Sequence, residues 1–414
     1  MILSKALSRR PVNQAMTLPE MVELVGGGNT TSGEHVSPER SKTIASAYRA
    51  GNILSDDVAK LPFQQFRKIG GKIEQIQPDG FMRNIPYLIE VSPNLWYWTP
   101  FQHKKAVIQW QIYHGNAYVW RPPVWPPQQL ILPADATYPV LDQTDGSLWY
   151  FTTFSNGQSR YIPAVEILHL LINPDRDGFL GRGVIQFARE TIGRQLGAHK
   201  TQSKFYAQGL NPAGYLSVTG NVDKKGREEY RKAYEEAMSG SSNAYRLAIF
   251  DARVTKFETV TMKPSDAQFL ESINANDHDI ANFFGIPEYK LNAGKQSYQS
   301  NEQNNLEYLS TSLDPYLVQW EQAARIKWLP LADQGSNYFR FIREAMLRTD
   351  ALTRAQLNEV NIRSGQRSPN EAREKDDYSS YPAGDEFYMS ANYAGTGLAA
   401  PTNSPGGNQN GQAK

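Results

Sequence analysis

Apolar residues recur at spacings of three and four along several parts of the chain, and this spacing produces the buried face of an α-helix. Helices are predicted over residues 37–61, 101–114, 183–208, 264–284, 301–328 and 350–376. Ser37 precedes Pro38, and a capping serine followed by proline at the first helical position marks a helix start. Pro315 predicts a kink in the fifth helix. The predicted apolar faces include Tyr48 in the first helix and Leu306 in the fifth.

Short strands are predicted in two regions, at residues 149–153, 166–172, 214–219, 245–250 and 255–261. The last three surround an amphipathic helix near Tyr230–Met238 and form a small α/β module between the long helices 183–208 and 264–284. Residues 1–36 contain prolines and a glycine run and are predicted to be a flexible arm. Residues 381–414 are rich in Gly, Asn, Ala and Pro and are predicted to be a disordered tail. The chain is therefore expected to be a helix-rich α+β protein.

The composition supports a folded protein with more than one unit. Hydrophobic residues make up 40% of the 414 positions and charged residues 21%, which is enough for a sizeable core. The net charge of +1 gives no general attraction to nucleic acid, so any DNA contact must come from local charge. The lack of cysteine excludes disulfides and thiolate metal sites. No apolar run reaches the ~18–20 residues that cross a bilayer, so no membrane partner is expected.

The two long helices carry opposite charge. The first carries five basic residues and one acidic residue, which are Arg182, Arg189, Arg194, Lys200, Lys204 and Glu190. The second carries four acidic residues and one basic residue, which are Asp266, Glu271, Asp277, Asp279 and Lys263. Arg182, Arg189 and Lys200 fall within about 20° of one another on the helix, because spacings of 7 and 11 are close to whole turns. Three interpretations stay open: a solvated face with intrachain ion pairs, docking to a neighbouring copy, or a face that lines a channel.

Glycines on and before the first long helix predict close packing. Gly193 and Gly197 lie one turn apart, and interior glycine costs about 1 kcal/mol relative to alanine, so a packing contact is expected, for example with an adjacent subunit. Gly178, Gly181 and Gly183 directly precede the helix. Their spacing favours a tight turn over a dinucleotide-binding loop.

Motifs for catalysis or metal binding are incomplete. Residues 293–297 (AGKQS) resemble the end of a phosphate-binding loop, but Tyr289 stands where the motif requires its first glycine. Asp277 and Asp279 flank His278, but residues two apart on a helix point in different directions. No two of the six histidines lie four residues apart. No catalytic residue, metal or cofactor is predicted.

Five of the eight tryptophans lie between residues 96 and 125. An aromatic platform for stacking sugars or bases is one interpretation. Large apolar side chains in a mixed α/β region more often form a core. The tryptophans are therefore predicted to be core residues.

Ten short motifs, in this order, resemble the bacteriophage portal (head-to-tail connector) family. They are Asp57–Pro62 (DVAKLP), Ser92–Phe101, Gly115–Tyr118 (GNAY), Asp177–Gly181 (DGFLG), Phe205–Leu216, Pro264–Pro287, Ser297–Gln303, Leu313–Pro315, Leu347–Asp350 and Ser368–Arg373. Each is short, but together they follow the family order over about residues 40–375, which chance does not readily produce.

The resemblance implies a ring, ordinarily of twelve subunits, at one vertex of a capsid. Its parts would be the N-terminal arm (1–36), wing (37–182 and 301–349), two-helix stem (183–208 and 263–287), α/β clip (209–262), tunnel loop (288–300), helical crown (350–380) and tail (381–414). The ring would assemble in the host cytoplasm and become part of the virion, beside the major capsid protein.

The implied function is a conduit for double-stranded DNA without a catalytic site. The terminase large subunit would drive packaging, and a head-tail adaptor would bind afterwards. Because each neutralised phosphate adds salt-sensitive affinity, a conduit for sliding DNA should carry few fixed cations. The expected DNA contacts are Lys290, Lys295, Gln296, Tyr298 and Gln299 in the tunnel loop, with Arg182, Arg189, Arg194 and Lys200 on the stem. The expected motor or adaptor contacts are Lys224, Lys225 and Arg227 of the clip.

Two other functions stay open at the level of sequence. A metal-dependent nuclease could use Asp266, Glu271 or Asp279, and a nuclease assay with magnesium or manganese would detect it. A ring-forming scaffold that never touches DNA would tolerate charge reversal of the tunnel loop.

Overall fold

The computed structural model describes residues 27–70, 72–76, 87–88, 97–123, 129–207, 214–218, 223–229, 232, 254–259, 277–291, 301–343, 346, 351–375 and 378–388. These residues form a mixed α+β fold, which confirms the predicted fold class at this level. The chain divides into two compact units, residues 1–346 and residues 347–414.

The helices follow most of the predicted segments. They are α1 (Pro38–Ser41), α2 (Ala45–Lys60), α3 (Pro100–His114), α4 (Val184–Ala207), α5 (Asn301–Tyr308), α6 (Asp314–Trp328), α7 (Ala351–Arg363) and α8 (Pro369–Lys375). Residues 224–229 and 277–284 are also helical. The strand predicted at 245–250 and the start of the helix predicted at 264–284 lie outside the described residues. Within the described ranges, no helix has the length and apolar character needed to cross a membrane.

The strands are β1 (Gly28–Asn29), β2 (His35–Val36), β3 (Phe63–Ile69), β4 (Lys72–Ile76), β5 (Tyr87–Leu88), β6 (Tyr97–Trp98), β7 (Asn116–Trp120), β8 (Leu130–Leu132), β9 (Thr137–Leu141), β10 (Leu148–Thr153), β11 (Ser159–Pro163), β12 (Ile167–Leu171), β13 (Gly214–Val218), β14 (Val254–Thr259) and β15 (Asn337–Phe341). They pair in the orders β11-β10-β9, β12-β7-β8, β15-β3-β4, β1-β2, β5-β6 and β13-β14. Four of the five predicted strands correspond to β10, β12, β13 and β14.

The first predicted helix is interrupted. Ser37 caps α1 as predicted, because its hydroxyl accepts a hydrogen bond from the Arg40 amide at 3.2 Å. α1 has only four residues, and α2 begins after a separate turn at Ile44. The capping signal therefore marks a short preceding turn, and the long helix starts later than predicted.

The buried face of α2 also differs from the prediction, since Tyr48 is 54% exposed. The face that packs against α3 consists largely of small residues, including Ala47, Ala50 and Gly51. The Tyr113 hydroxyl on α3 donates a hydrogen bond to the Ala47 carbonyl at 3.1 Å. A Cβ at Gly51 would lie 2.2 Å from that hydroxyl. These small side chains leave room for the buried Tyr113 ring of α3, whereas Tyr48 lies on the exposed side of α2.

One packing centre is aromatic and joins the β15-β3-β4 sheet to α6. The ring centroid of Phe63 on β3 lies 4.5 Å from that of Phe341 and 5.5 Å from that of Phe339, both on β15. Trp320 of α6 lies 6.1 Å from Phe63 and is buried. Rings at these separations bury much apolar area in favourable tilted and offset geometries.

A second packing centre lies between the two other three-stranded sheets. Its buried members are Tyr118, Trp120, Leu132, Ala134, Tyr150, Ile162 and Ile167. Trp110 on α3 packs against it. Trp110 and Trp120 are therefore core residues, as predicted. Trp96 and Trp125 lie outside the described residues, and so does the side chain of Trp98.

The helix predicted over 301–328 is interrupted just before Pro315. α5 continues as a π-helical turn over Leu309–Leu313 and then as α6, whose first turn contains the proline. Proline lacks an amide hydrogen and collides with the carbonyl four residues earlier, and a wider turn relieves both effects. Leu317 is buried as predicted, but Leu306 is 47% exposed. The extra residue of a π turn rotates the preceding helix, which moves Leu306 off the apolar face.

The second unit contains two helices where one was predicted over 350–376. Gly365, with φ +71°, follows the end of α7. Ser368 then caps α8, since its hydroxyl accepts from the Glu371 amide at 3.2 Å while the Glu371 carboxylate accepts from the Ser368 amide at 3.0 Å. This reciprocal pair is a capping box, and it starts a new helix.

The start of the predicted disordered tail is a turn held by Asn370. The Asn370 side chain donates hydrogen bonds to the Tyr381 carbonyl at 3.0 Å and to the Asp385 carboxylate at 2.8 Å. Residues 381–385 therefore form a turn held by the Asn370 side chain, and the disorder prediction is wrong for them. Residues 389–414 lie outside the described residues.

Candidate functional site

Helix α4 begins at a close crossing of two chain segments, which we call the glycine crossing (Gly115, Gly181 and Gly183). Gly115 follows α3 with φ +81°, a conformation that favours glycine. A Cβ at Gly181 would lie 2.2 Å from the Gly115 carbonyl oxygen, and one at Gly183 would lie 2.3 Å from that of Tyr113. Only hydrogen fits at these positions. The glycine cluster therefore forms a tight turn into the helix, as predicted.

Asn116 fixes the glycine crossing by hydrogen bonds. Its side-chain amide donates to the Gly181 carbonyl at 2.8 Å, and its oxygen accepts from the Gly181 amide at 2.7 Å. The same oxygen lies 3.0 Å from His169 Nε2, and His169 Nδ1 lies 3.1 Å from the Tyr150 hydroxyl. Burial lowers the pKa of His169 to about 3, so the ring is neutral. Nε2 then carries the proton and donates to Asn116, while Nδ1 accepts from Tyr150.

The apolar face of α4 packs into the first unit. Ile185, Ala188 and Ile192 are fully buried, and Leu196 is half-buried. This is the face that the spacing of three and four predicted. The charged residues therefore occupy the remaining sides of the helix.

A hairpin formed by residues 28–36, the N-terminal hairpin, lies on one of those sides. A Cβ at Gly193 would come within 2.5 Å of the Thr30 side chain, whereas the nearest atoms to one at Gly197 are 3.9 Å away, on Ser32 and Glu34. Gly193 therefore has the packing reason that the sequence predicted. Its partner is the same chain, not the adjacent subunit suggested as an example.

Two carboxylates connect the hairpin to α4. Glu34 of the hairpin contacts Lys200 at 2.7 Å and Arg40 at 2.6 Å, and its side chain is only 7% exposed. Hydrogen bonds from Lys200 and Arg40 lower the pKa of Glu34. On the other side, Glu190 of α4 accepts hydrogen bonds from the amide (3.2 Å) and hydroxyl (2.7 Å) of Thr31.

The N-terminal hairpin changes the interpretation of the basic residues that share one side of α4. Lys200 is paired with Glu34, and the Arg189 guanidinium lies so close to the hairpin backbone that a Cβ at Gly28 would be 2.4 Å from it. Arg182 is exposed at the start of the helix. The prediction of a flexible arm is wrong for residues 27–36, because glycine on α4 lets the hairpin bind. Residues 1–26 lie outside the described residues.

The helical segment 277–284 contacts α4 within the same chain. Gln195 donates a hydrogen bond to Asp277 at 2.9 Å, and Arg194 lies 3.8 Å from Asp279. Both members of the Arg194–Asp279 pair are about half exposed, so this pair contributes little to stability. Of the three interpretations of the opposite charges, intrachain pairing describes the contacts at these positions.

The structure describes some of the residues predicted for the tunnel loop and the clip, but not all of them. Lys295, Gln296, Tyr298 and Gln299 lie outside the described residues. The ammonium of Lys290 lies 4.4 Å from the ring centroid of Tyr308 and 4.0 Å from Asp57 Oδ2. Lys224, Lys225 and Arg227 are exposed on the helical residues 224–229. They follow Asp223, whose carboxylate accepts a hydrogen bond from the Gly226 amide at 2.9 Å.

The different surroundings of Gly193 and Gly197 predict opposite effects of alanine. Gly197→Ala should stabilise the protein by about 0.5–1 kcal/mol, because alanine is the better helix former and space is available. Gly193→Ala should destabilise it by roughly 1–3 kcal/mol through overlap with Thr30. Urea denaturation would measure both, and hydrogen exchange of residues 28–36 should quicken only in Gly193→Ala. Stabilisation by both variants would contradict this packing.

A comparison with known protein families identifies the family to which this chain belongs. A family model described as "Phage portal protein" matches residues 45–377, which is most of the chain and includes both α4 and the segment 277–284. The chain belongs to the phage portal protein family. The family predicted from the motifs is confirmed. A portal protein is a structural component of the head-to-tail connector at the capsid vertex of the virion, and it is not an enzyme.

Two phage portal proteins are similar in sequence to this chain. The chain is 26% identical over 393 residues to the probable portal protein of Streptomyces phage phiC31, covering 86% of this chain and 79% of that protein. It is also 26% identical over 368 residues to the portal protein of Enterobacteria phage HK97, covering 86% of this chain and 84% of that protein. The similarity extends over most of both relatives.

Solved portal structures share the fold. The HK97 family phage portal protein from Corynebacterium diphtheriae has a TM-score of 0.55 at 16% identity, covering 75% of this chain and 96% of that chain. A chain in the neck of the native gene transfer agent particle, computed with C12 symmetry, has a TM-score of 0.50 at 17% identity, covering 92% and 99%. At these identities the likeness concerns the fold alone.

Membership of the portal family argues against the nuclease alternative. Of its candidate carboxylates, Asp279 lies beside Arg194 in this portal protein. Asp266 and Glu271 lie outside the described residues. Within the described ranges, no group of three His, Asp or Glu side chains could hold a metal ion.

Several residues that shape the site were not found by sequence reasoning. Thr30 and Glu34 hold the N-terminal hairpin on α4, and Asp57 and Tyr308 hold Lys290. The spacing of Gly193 and Gly197 signalled that something packs on α4, but it did not identify the partner. No local pattern links Asp57 to a lysine so distant in sequence.

Proposed function

We propose that this portal protein forms a ring of twelve subunits whose bore conducts double-stranded DNA during packaging, retention and ejection. The observation that carries the proposal is the shared fold with a neck chain in a particle computed with C12 symmetry, over 92% of this chain. The major capsid protein would surround the ring. The terminase large subunit and later the head-tail adaptor would bind its outer end.

The predicted parts of a portal subunit can be placed on the chain as a proposal. α4 and residues 263–287 would be the stem, and the contacts of Gln195 and Arg194 with the segment 277–284 support this pairing. The insert 209–262, with its β13-β14 ladder, would be the clip. Residues 288–300 would be the tunnel loop. Residues 37–182 and 301–349 would be the wing, and 350–380 the crown.

Several cations of the proposed bore already have a carboxylate nearby, and this supports a bore that does not hold DNA tightly. Lys200 is paired with Glu34, Arg194 lies near Asp279, and Lys290 lies near Asp57. A cation that already has a carboxylate partner adds less to phosphate affinity than a free one, because binding must replace an existing contact. Such a wall would let a polyanion slide. Arg182 stays in the proposed DNA contact set because it is exposed at the start of α4, and the loop residues Lys295, Gln296, Tyr298 and Gln299 stay in it as predictions.

The exposed cations of the clip would bind an acidic surface on the motor or adaptor. Lys224, Lys225 and Arg227 lie within one helical turn and project from a short helix. Clustered exposed cations steer and bind acidic partners while contributing little to folding. Reversal of all three charges should therefore spare the ring and weaken docking.

The ring is tested by electron microscopy of the purified full-length protein. Particles with an axial hole and rotational symmetry are expected, with twelve subunits in class averages. A compact monomer at micromolar concentration, or a closed centre, would contradict the proposal.

Docking is tested with the combined variant Lys224→Glu, Lys225→Glu and Arg227→Glu. We expect rings of unchanged size and at least about a tenfold loss of affinity for the terminase large subunit. Lys68→Glu, an exposed cation on β3, is the control and should bind normally. Equal binding by the triple variant and the control would show that the clip cations are not the docking surface.

A further inference from the structure

Lys290 lies in a short 3-10 turn, Glu288–Leu291, directly before residues 292–300. Its ammonium lies 4.4 Å from the ring centroid of Tyr308 and 4.0 Å from Asp57 Oδ2. Only 23% of the side chain is exposed. A cation over an aromatic face and beside a carboxylate is attracted by both. The side chain therefore turns toward α2 and α5 within its own subunit.

The partners of Lys290 are themselves fixed. Tyr308 is fully buried, and its hydroxyl donates a hydrogen bond to Asp57 Oδ2 at 3.1 Å. Burial and the adjacent Asp57 carboxylate raise the pKa of Tyr308, so the hydroxyl keeps its proton and its donor role. The other oxygen of Asp57 contacts Lys60 at 3.1 Å. The ring and the carboxylate thus form a prepared site for one ammonium group.

Backbone contacts hold the same turn. Arg49 of α2 donates a hydrogen bond to the Lys290 carbonyl at 3.1 Å. The Tyr289 hydroxyl donates to the Asn304 carbonyl at 3.1 Å, which ties the turn to α5. His278 lies 2.7 Å from Glu288 and ties it to the segment 277–284. The residues on both sides of 292–300 are therefore attached to α2 and to each other.

We propose that Lys290 is a positioning residue, which with Asp57 and Tyr308 fixes the ends of the segment 292–300, and that it does not itself contact DNA. Its role in DNA passage rests on the proposed function, because that function places the segment in the bore. Lys290 would act through the segment that it holds, and the DNA contacts would come from residues such as Lys295. The expectation that Lys290 is a DNA contact is replaced by this one.

The first test measures local opening by hydrogen exchange in the full-length protein. Lys290→Met keeps the aliphatic stem and removes the charge, so amides of residues 288–291 and of α5 should exchange about tenfold faster. Lys290→Arg keeps a cation over the Tyr308 ring and should stay within about threefold of the natural protein. Unchanged exchange in Lys290→Met would overturn the proposal.

The second test compares Lys290→Met with Asp57→Asn in duplex DNA binding at several salt concentrations. A phosphate contact by Lys290 contributes roughly 0.9 to the salt slope. If Lys290 bound DNA directly, Lys290→Met would lower the slope, whereas Asp57→Asn would free the ammonium and raise affinity. If Lys290 positions the segment, the two variants should change DNA affinity in the same direction and quicken exchange alike.

Lys60→Met is the matched control, because it removes the other cation beside Asp57 and leaves Lys290 in place. It should change exchange of 288–291 by less than about threefold. Opposite effects of Lys290→Met and Asp57→Asn on affinity would overturn the positioning role. If the natural protein formed no perforated rings but exchange still responded to Lys290→Met, the proposed function would fail while the positioning role stood.

Discussion

Replacing Gly181 by alanine is expected to destabilise the first unit by roughly 3–5 kcal/mol and to prevent the protein from forming rings. The new Cβ would lie 2.2 Å from the Gly115 carbonyl oxygen and 2.5 Å from that of Ile172. Both neighbours are backbone atoms, so no side chain can turn away to make room. The Asn116 bonds to Gly181 would be strained in the same movement. Thermal and urea denaturation of the purified protein would measure the loss.

Gly178 provides a matched control in the same turn. It has φ +75°, but no atom lies within 4 Å of its Cβ position. Gly178→Ala should therefore cost only about 1 kcal/mol, from backbone strain alone, and leave ring formation intact. Similar losses in the two variants would mean that the glycine crossing is looser than the distances indicate.

The glycine crossing and α4 were predictable because their signals are local. The apolar spacing of Ile185, Ala188 and Ile192 is the spacing of a helix face, and these residues are buried. Three glycines within six residues before a helix indicate a turn under steric constraint. The sequence did not predict that Gly115 supplies the opposing chain, because that contact depends on the tertiary fold.

The N-terminal hairpin could not be predicted from its own pattern. Its strands are two residues each, and the turn between them is mostly polar. Composition therefore favoured a flexible arm. The hairpin is bound instead by Gly193 and Lys200 of α4 and by Arg40. A short element of this kind is stabilised by contacts with residues distant in sequence. The strand propensity of its own residues gives no information about those contacts.

The charged residues of α4 were also predictable only in part, since the sequence indicated their side of the helix but not their partners. Helical periodicity placed Arg189 and Lys200 on one side of α4, and they do face one element, the N-terminal hairpin. Periodicity cannot say whether that side meets solvent, DNA or another part of the chain. The partner determines whether a cation can contribute to DNA affinity, so the sequence could nominate contact residues but not select among them.

Acidification is expected to destabilise the protein strongly between pH 7 and pH 5. Burial lowers the pKa of His103 and of His169 to about 3 and that of His114 to about 4. In the unfolded chain each imidazole takes up a proton near pH 6.5, while the folded protein keeps all three neutral. The unfolded state therefore gains protons first, and stability falls as pH drops from 6.5 toward 4 and then 3. At pH 5 the loss should be about 2 kcal/mol per histidine, or roughly 5–6 kcal/mol together.

Urea denaturation at fixed protein concentration and several pH values would measure this loss. His169→Gln should reduce the pH dependence by about one third, because one of three proton uptakes is removed. His199→Gln, at an exposed position of α4, is the control for the substitution itself. The pKa values of Glu34 and Glu190 are lowered from 4.5, so protonation of these carboxylates contributes only at more acidic pH. A loss of less than about 1 kcal/mol between pH 7 and pH 5 would mean that these histidines can protonate inside the folded protein.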